Sequence, residues 1–167
     1  VLKSYAGYGA RYMLEDSRGK LWLGLNGRGL PLYDTRQQEV KHWEALGTKD
    51  YPIGNIITSI AEDKKGIIWF SSYYGLASYD YTTGKFTTYS DIHAMESLQI
   101  SGLNVDGEDR LWLATTRGIL MLDKDRKTFK RFNMEDGLPD IQFNDQGSYT
   151  LKNGMFVYPT YDGFVSF

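Results

Sequence analysis

A chain of 167 residues is long enough to bury a hydrophobic core and short enough to be one domain. Its 19 basic and 21 acidic residues leave a formal charge of −2, which excludes the basic field that gathers nucleic acid or anionic lipid. Cysteine is absent, so thiolate catalysis, disulfides and thiolate metal sites are excluded too, and no apolar run approaches the ~20 residues that span a bilayer.

The 13 Tyr, 8 Phe and 4 Trp stand beside 18 Gly, a mixture of bulky strand formers and turn residues that many short strands require. In chain order, the opening Val-Leu-Lys-Ser-Tyr lacks the apolar core of a signal peptide. Its Leu2 and Tyr5 are spaced like pairs that recur further on, so residues 1–5 read as the last strand of a preceding unit.

The first full unit, 11–43, carries Glu15-Asp16-Ser17-Arg18-Gly19-Lys20-Leu21-Trp22-Leu23, then Gly29-Leu30-Pro31-Leu32-Tyr33-Asp34, then Val40 and Trp43. The second, 56–89, repeats the order with Glu62-Asp63-Lys64-Lys65-Gly66-Ile67-Ile68-Trp69-Phe70, Gly75-Leu76-Ala77-Ser78-Tyr79-Asp80, and Phe86 with Tyr89. The third, 100–132, has Val105-Asp106-Gly107-Glu108-Asp109-Arg110-Leu111-Trp112-Leu113, Gly118-Ile119-Leu120-Met121-Leu122-Asp123, and Phe129 with Phe132. The fourth, 146–167, keeps Gly154 and Gly163, places Val157 where tryptophan stood, and holds only three strands.

Successive tryptophans lie 47 and 43 residues apart, a period that suits propeller blades of four strands, labelled A to D from the axis outwards. In the second unit these strands are predicted near 56–61, 67–71, 76–79 and 85–89. Strand B is nearly all apolar, as a strand covered on both faces should be. Arg18-Gly19, Lys65-Gly66 and Glu108-Asp109 supply the left-handed residue that an A-to-B hairpin turn needs. No stretch shows a helical apolar period, so helix should be nearly absent.

These blocks resemble the two-component regulator propeller repeat, which runs acidic-Asp-x-x-Gly-x-(Ile/Leu)-Trp-(Ile/Leu)-Gly-Thr-x-x-Gly-Leu-x-x-Tyr-Asp. Departures fall at Leu25, at Ser71 and Ser72, and at Ala114 before the matching Thr115. Gly137-Leu138-Pro139, Phe143-Asn144 and Gly163-Phe164-Val165-Ser166-Phe167 resemble the last blade before an immunoglobulin-like domain in the same sensor proteins. The resemblance implies an all-β propeller piece from the periplasmic sensor region of a membrane-bound hybrid two-component protein. That longer protein would carry a transmembrane helix and a histidine kinase and would respond to oligosaccharides.

Catalytic constellations are weak. The adjacent Glu15-Asp16 and Glu62-Asp63 point to opposite faces of a strand and read as hairpin residues. Asp34, Asp80 and Asp123 open C-to-D turns, and Asp123-Lys124-Asp125 lacks the glycine and glutamate of a calcium loop. His42 and His93 lie in different units without a nucleophile elbow, and Gly24, Gly27 and Gly29 mark a turn before a strand rather than a phosphate loop. Neither cofactor nor metal is expected.

A sugar site needs aromatic faces beside hydrogen-bonding groups, and the B-to-C and D-to-A loops share one rim of a propeller. The candidates on that rim are Asn26, Arg28, Tyr73, Tyr74, His93, Thr116, Arg117, Tyr161 and Asp162. Their ligand is expected to be an oligosaccharide or another small molecule. Two other readings stay open: a propeller-type polysaccharide or streptogramin lyase, and a structural propeller that forms a homodimer.

Overall fold

The computed structural model describes residues 9–27, 29–41, 54, 56–89, 99–138, 142–144 and 147–167. Residues 1–5, His42, Trp43 and His93 lie outside this set.

The turn chemistry folds each repeat into a meander. The first blade is β1 (Ala10–Glu15), β2 (Lys20–Leu25), β3 (Leu32–Asp34) and β4 (Glu39–Lys41), hydrogen-bonded antiparallel in that order. The second is β5 (Ile57–Glu62), β6 (Ile68–Ser72), β7 (Gly75–Asp80) and β8 (Lys85–Thr88). The third is β9 (Ile100–Val105), β10 (Leu111–Thr115), β11 (Gly118–Leu122) and β12 (Phe129–Phe132). A fourth, three-stranded blade comprises β13 (Tyr149–Thr150), β14 (Phe156–Thr160) and β15 (Gly163–Ser166).

The protein is an all-β propeller of four blades. First strands line the axis: β1 contacts β5, and β5 contacts β9. Gly147 lies against the ring of Tyr12, where a Cβ would come 2.7 Å from Cε1, so the first and fourth blades meet there. Among the described residues the only helical element is a 3₁₀ turn, Met134–Asp136, capped by Asn133.

The A-to-B turns adopt the conformation their sequences require, with φ of 73° at Gly19, 74° at Gly66 and 68° at Asp109. Three apolar clusters then form between blades. Trp22, Leu30 and Leu32 pack with Ile57, Ile68, Phe70 and Tyr79, and Trp69 and Leu76 pack with Ile100, Leu103, Leu111, Leu113 and Leu122. Ala114 and Ile119 pack with Phe143, Phe156 and Tyr158. Close approach depends on Gly102, whose hydrogen faces Tyr158; a Cβ would sit 2.9 Å from that ring.

One aspartate closes each A-to-B turn. Asp16 Oδ1 accepts the backbone N–H groups of Arg18 and Lys20 at 3.0 and 2.9 Å, while its Oδ2 accepts Trp22 Nε1–H at 3.0 Å. Asp63 does the same with Lys65, Ile67 and Trp69 Nε1, the last at 2.8 Å. Asp106 repeats it with Glu108, Arg110 and Trp112 Nε1, again at 2.8 Å. The repeated aspartate therefore fixes the hairpin and the tryptophan six residues on together.

These clasps are joined across blades. Tyr81 O–H of the second blade donates to Asp16 Oδ2 at 2.6 Å, and Arg126 of the third reaches Asp63 Oδ2 at 3.1 Å and Asp109 Oδ2 at 3.4 Å. Glu62 accepts from Ser17 N–H and Oγ–H and pairs with Arg18 at 3.3 Å. Lys64 donates its backbone N–H to Asp109 and its Nζ to the carbonyl of Gly107.

Burial raises the pKa of Asp16, but hydrogen bonds from Tyr81, Lys20, Trp22 and Arg18 outweigh it and hold the carboxyl below its ordinary value. At Asp106, burial is likewise outweighed by Trp112 and by the N–H and guanidinium of Arg110. A carboxyl depressed in the fold contributes stability above its unfolded pKa, about 3.9, and loses it as pH falls through the folded value. Unfolding free energy is therefore expected to decline steadily below about pH 4. Denaturant titrations at a series of pH values check this, and Asp106→Asn should show a flatter acid limb than wild type.

Candidate functional site

The B-to-C loops and the starts of the A strands converge on one rim. Between the second, third and fourth blades lies a cleft of about 300 Å³. Its walls are Tyr73 from the second blade, Gln99, Ser101, Thr115 and Thr116 from the third, and Gln142, Phe143 and Tyr161 from the fourth.

Local structure explains the lining. The pairing of β9 with β10 jumps from Gly102 opposite Ala114 to Ile100 opposite Thr115, leaving Ser101 as the extra residue of a bulge. Equivalent jumps pass over Arg11 in β1 and Thr58 in β5. A bulge re-aims the side chain it frees, and here that side chain joins the cleft. Thr115 Oγ1 donates to the carbonyl of Gly118 at 2.7 Å and accepts Arg117 N–H at 3.1 Å, closing the B-to-C loop. Thr116 N–H reaches the carbonyl of Gln99 at 3.2 Å. Phe143 bridges to Thr160 and sets its ring edge-on to Tyr158, with centroids 5.9 Å apart.

Of the residues expected on this rim, the cleft brings together Tyr73, Thr116 and Tyr161. Tyr74 is exposed and lies over Gly54, while Asn26 forms an isolated bridge with Ile56. Arg117 and Asp162 are exposed beside the cleft without lining it. Arg28 and His93 lie outside the described residues. Sequence reasoning missed Gln99, Ser101, Thr115, Gln142 and Phe143; Thr115 adjoins a named loop, Ser101 is the bulge residue of β9, and the others enter from segments before a first strand.

The lining offers hydroxyls, carboxamides and aromatic rings, and among the described residues it includes no charged side chain. Such walls present donors and acceptors in both senses together with flat apolar faces. The carboxylates considered for acid–base work lie elsewhere: Asp16 and Asp63 are buried in their clasps, and Glu62 is bound to Ser17 and Arg18. Among the described residues no cluster of His, Asp or Glu is arranged to hold a metal ion. None of the described helices is long and apolar enough to cross a membrane.

Residues 51–74 match the family model described as "Two component regulator propeller". The matched stretch contains the Asp63 clasp and strand β6, and the same clasp recurs in the blades on either side. Three solved structures illustrate the likeness in fold. The extracellular domain of a hybrid two component system from B. thetaiotaomicron is 18% identical with a TM-score of 0.82, covering 99% of this chain and 23% of that one. The extracellular domain of a one component system from the same organism is 15% identical with a TM-score of 0.70, covering 94% and 21%. Virginiamycin B lyase from Staphylococcus aureus is 14% identical with a TM-score of 0.67, covering 93% and 54%. The chain thus spans about a quarter of the length of the two-component domain it resembles. No curated protein matches the sequence.

Proposed function

We propose that this propeller is the ligand-sensing, non-catalytic part of a membrane-bound hybrid two-component receptor, lying on the periplasmic side and responding to a neutral oligosaccharide through the rim cleft. The observation that carries the reading is the regulator propeller match at residues 51–74, set in a repeat that recurs along the chain. The extracellular domains of like fold, one from a hybrid two component system and one from a one component system, support the location. Uncharged hydroxyl and amide groups beside Tyr73, Phe143 and Tyr161 support the ligand class.

In this reading the receptor continues into a transmembrane helix and a histidine kinase, and the propeller contributes recognition alone. Calorimetric titration with a panel of neutral oligosaccharides tests it. Binding is expected for at least one of them, weakened at least tenfold by Tyr161→Ala, and because Tyr161 is exposed the melting temperature should hardly move. Silence across the panel, or equal affinity in the variant, contradicts the reading. Fold likeness to virginiamycin B lyase motivates a parallel assay for cleavage of uronic-acid glycans and streptogramins, in which turnover would favour the lyase alternative.

A further inference from the structure

The second and third blades treat one position differently. Each first strand carries a bulge near its start, at Thr58 in β5 and at Ser101 in β9, which releases a hydroxyl residue from the strand ladder. In the second blade that hydroxyl is consumed inside the fold. Thr58 Oγ1 donates its one proton to the carbonyl of Ile100 at 2.6 Å, so across the 2.9 Å gap to Ser71 Oγ it accepts.

The third blade lacks the partner. Ser71 stands opposite Ser59, the residue after the bulge, and at the matching place in the third blade Ala114 stands opposite Gly102. Alanine has no hydroxyl to offer, and Ser101 Oγ has no hydrogen-bond partner among the described residues. Ser101 is nevertheless only 7% exposed, and it lines the rim cleft. A hydroxyl buried without a partner is costly unless a group from outside completes it.

Burial sorts the cleft by depth. Gln99, Thr116, Gln142 and Tyr161 are exposed and form its mouth, whereas Ser101, Thr115 and Phe143 are buried and form its floor. Thr115 Oγ1 is already engaged by Gly118 and Arg117, and Phe143 brings an apolar ring. The hydroxyl of Ser101 is therefore the polar group that the floor holds open.

We propose that Ser101 determines the specificity of the cleft, its hydroxyl pairing with a hydroxyl of the sugar ring that reaches the floor. The inference rests on the sensing role proposed above and adds the residue that reads the ligand. A serine hydroxyl both donates and accepts, as a sugar hydroxyl does, so the pair can form in either sense. A charged group would meet no counter-charge among the described lining residues.

Paired measurements of affinity and stability test it, with neutral gluco-, galacto-, manno- and xylo-disaccharides and their longer homologues as probes. Ser101→Ala is expected to weaken binding of whichever probe wild type binds by at least about fivefold, the loss of one buried hydrogen bond, while its unfolding midpoint stays at the wild-type value. Thr58→Val, at the bulge whose hydroxyl is committed, should lower the midpoint. Should Ser101→Ala keep wild-type affinity where Tyr161→Ala loses it, this inference fails and the sensing role stands. A midpoint in Ser101→Ala that falls as far as that of Thr58→Val marks a structural hydroxyl and overturns the inference as well. A wild-type chain silent to every probe overturns the inference and the sensing role together.

Discussion

Replacing Trp69 by alanine is expected to lower the unfolding free energy by about 3–5 kcal/mol, the range for deleting a large buried aromatic. Trp69 is fully buried in the cluster between the second and third blades, against Leu76, Ile100, Leu103 and Leu111. Its ring lies 4.9 Å from that of Tyr89, and the guanidinium of Arg126 sits 4.9 Å above it. Its Nε1–H is held by Asp63. The substitution removes the packing volume and leaves Asp63 Oδ2 without one of its donors. Equilibrium denaturation measures the change, and a loss below about 1 kcal/mol would show that the blade junction tolerates a cavity there.

Asp63→Ala is expected to cost about 3–5 kcal/mol, the range for removing one partner of a buried ion pair. Its carboxylate accepts from two backbone N–H groups, from Trp69 Nε1 and from Arg126, all in a part-buried or buried setting. Alanine leaves the Arg126 guanidinium with one carboxylate, that of Asp109 at 3.4 Å, beside the carbonyls of Asp109 and Asp123. Arg126→Met should be milder, because methionine keeps contact with Trp69 and the Asp63 carboxylate, though it loses its cation, still accepts three N–H bonds. In the double variant, part of the Asp63→Ala loss should be absent, giving a coupling of about 0.5–3 kcal/mol for residues of one network. Strict additivity of the two changes would mean that the pair does not act as a latch between blades.

Most of the fold was legible because it repeats. Turn residues, the apolar B strand and the apolar pair of strand D return at fixed offsets, and the strands form within a residue or two of where those offsets put them, as β5 to β8 show. The aspartate before each turn was readable as a hairpin residue, yet its second oxygen, aimed at the tryptophan six positions later, was not. That bond depends on how far the B strand climbs beside the turn.

The links between blades left no periodic trace. Tyr81 stands one residue after Asp80, whereas Arg126 stands three after Asp123, so two side chains doing equivalent work occupy different offsets. The capped turn at Asn133 belongs to a connection, and connections vary in length where strands do not. The rim divides the same way. Tyr73, Thr116 and Tyr161 lie on B-to-C loops that the repeat fixes, whereas Gln99 and Gln142 arrive from segments of unequal length and Ser101 is turned inward by a bulge.

A ligand held in the proposed site, on the rim between the second, third and fourth blades, would shield the backbone there. Amide hydrogen exchange, measured with and without a saturating neutral oligosaccharide found by calorimetry, tests this. Exchange is expected to slow at Tyr73, at Thr115, Thr116 and Arg117, and at Tyr161, with the clasp turns at Asp16, Asp63 and Asp106 unchanged. Protection confined to those clasp turns, or spread evenly over all four blades, would contradict it.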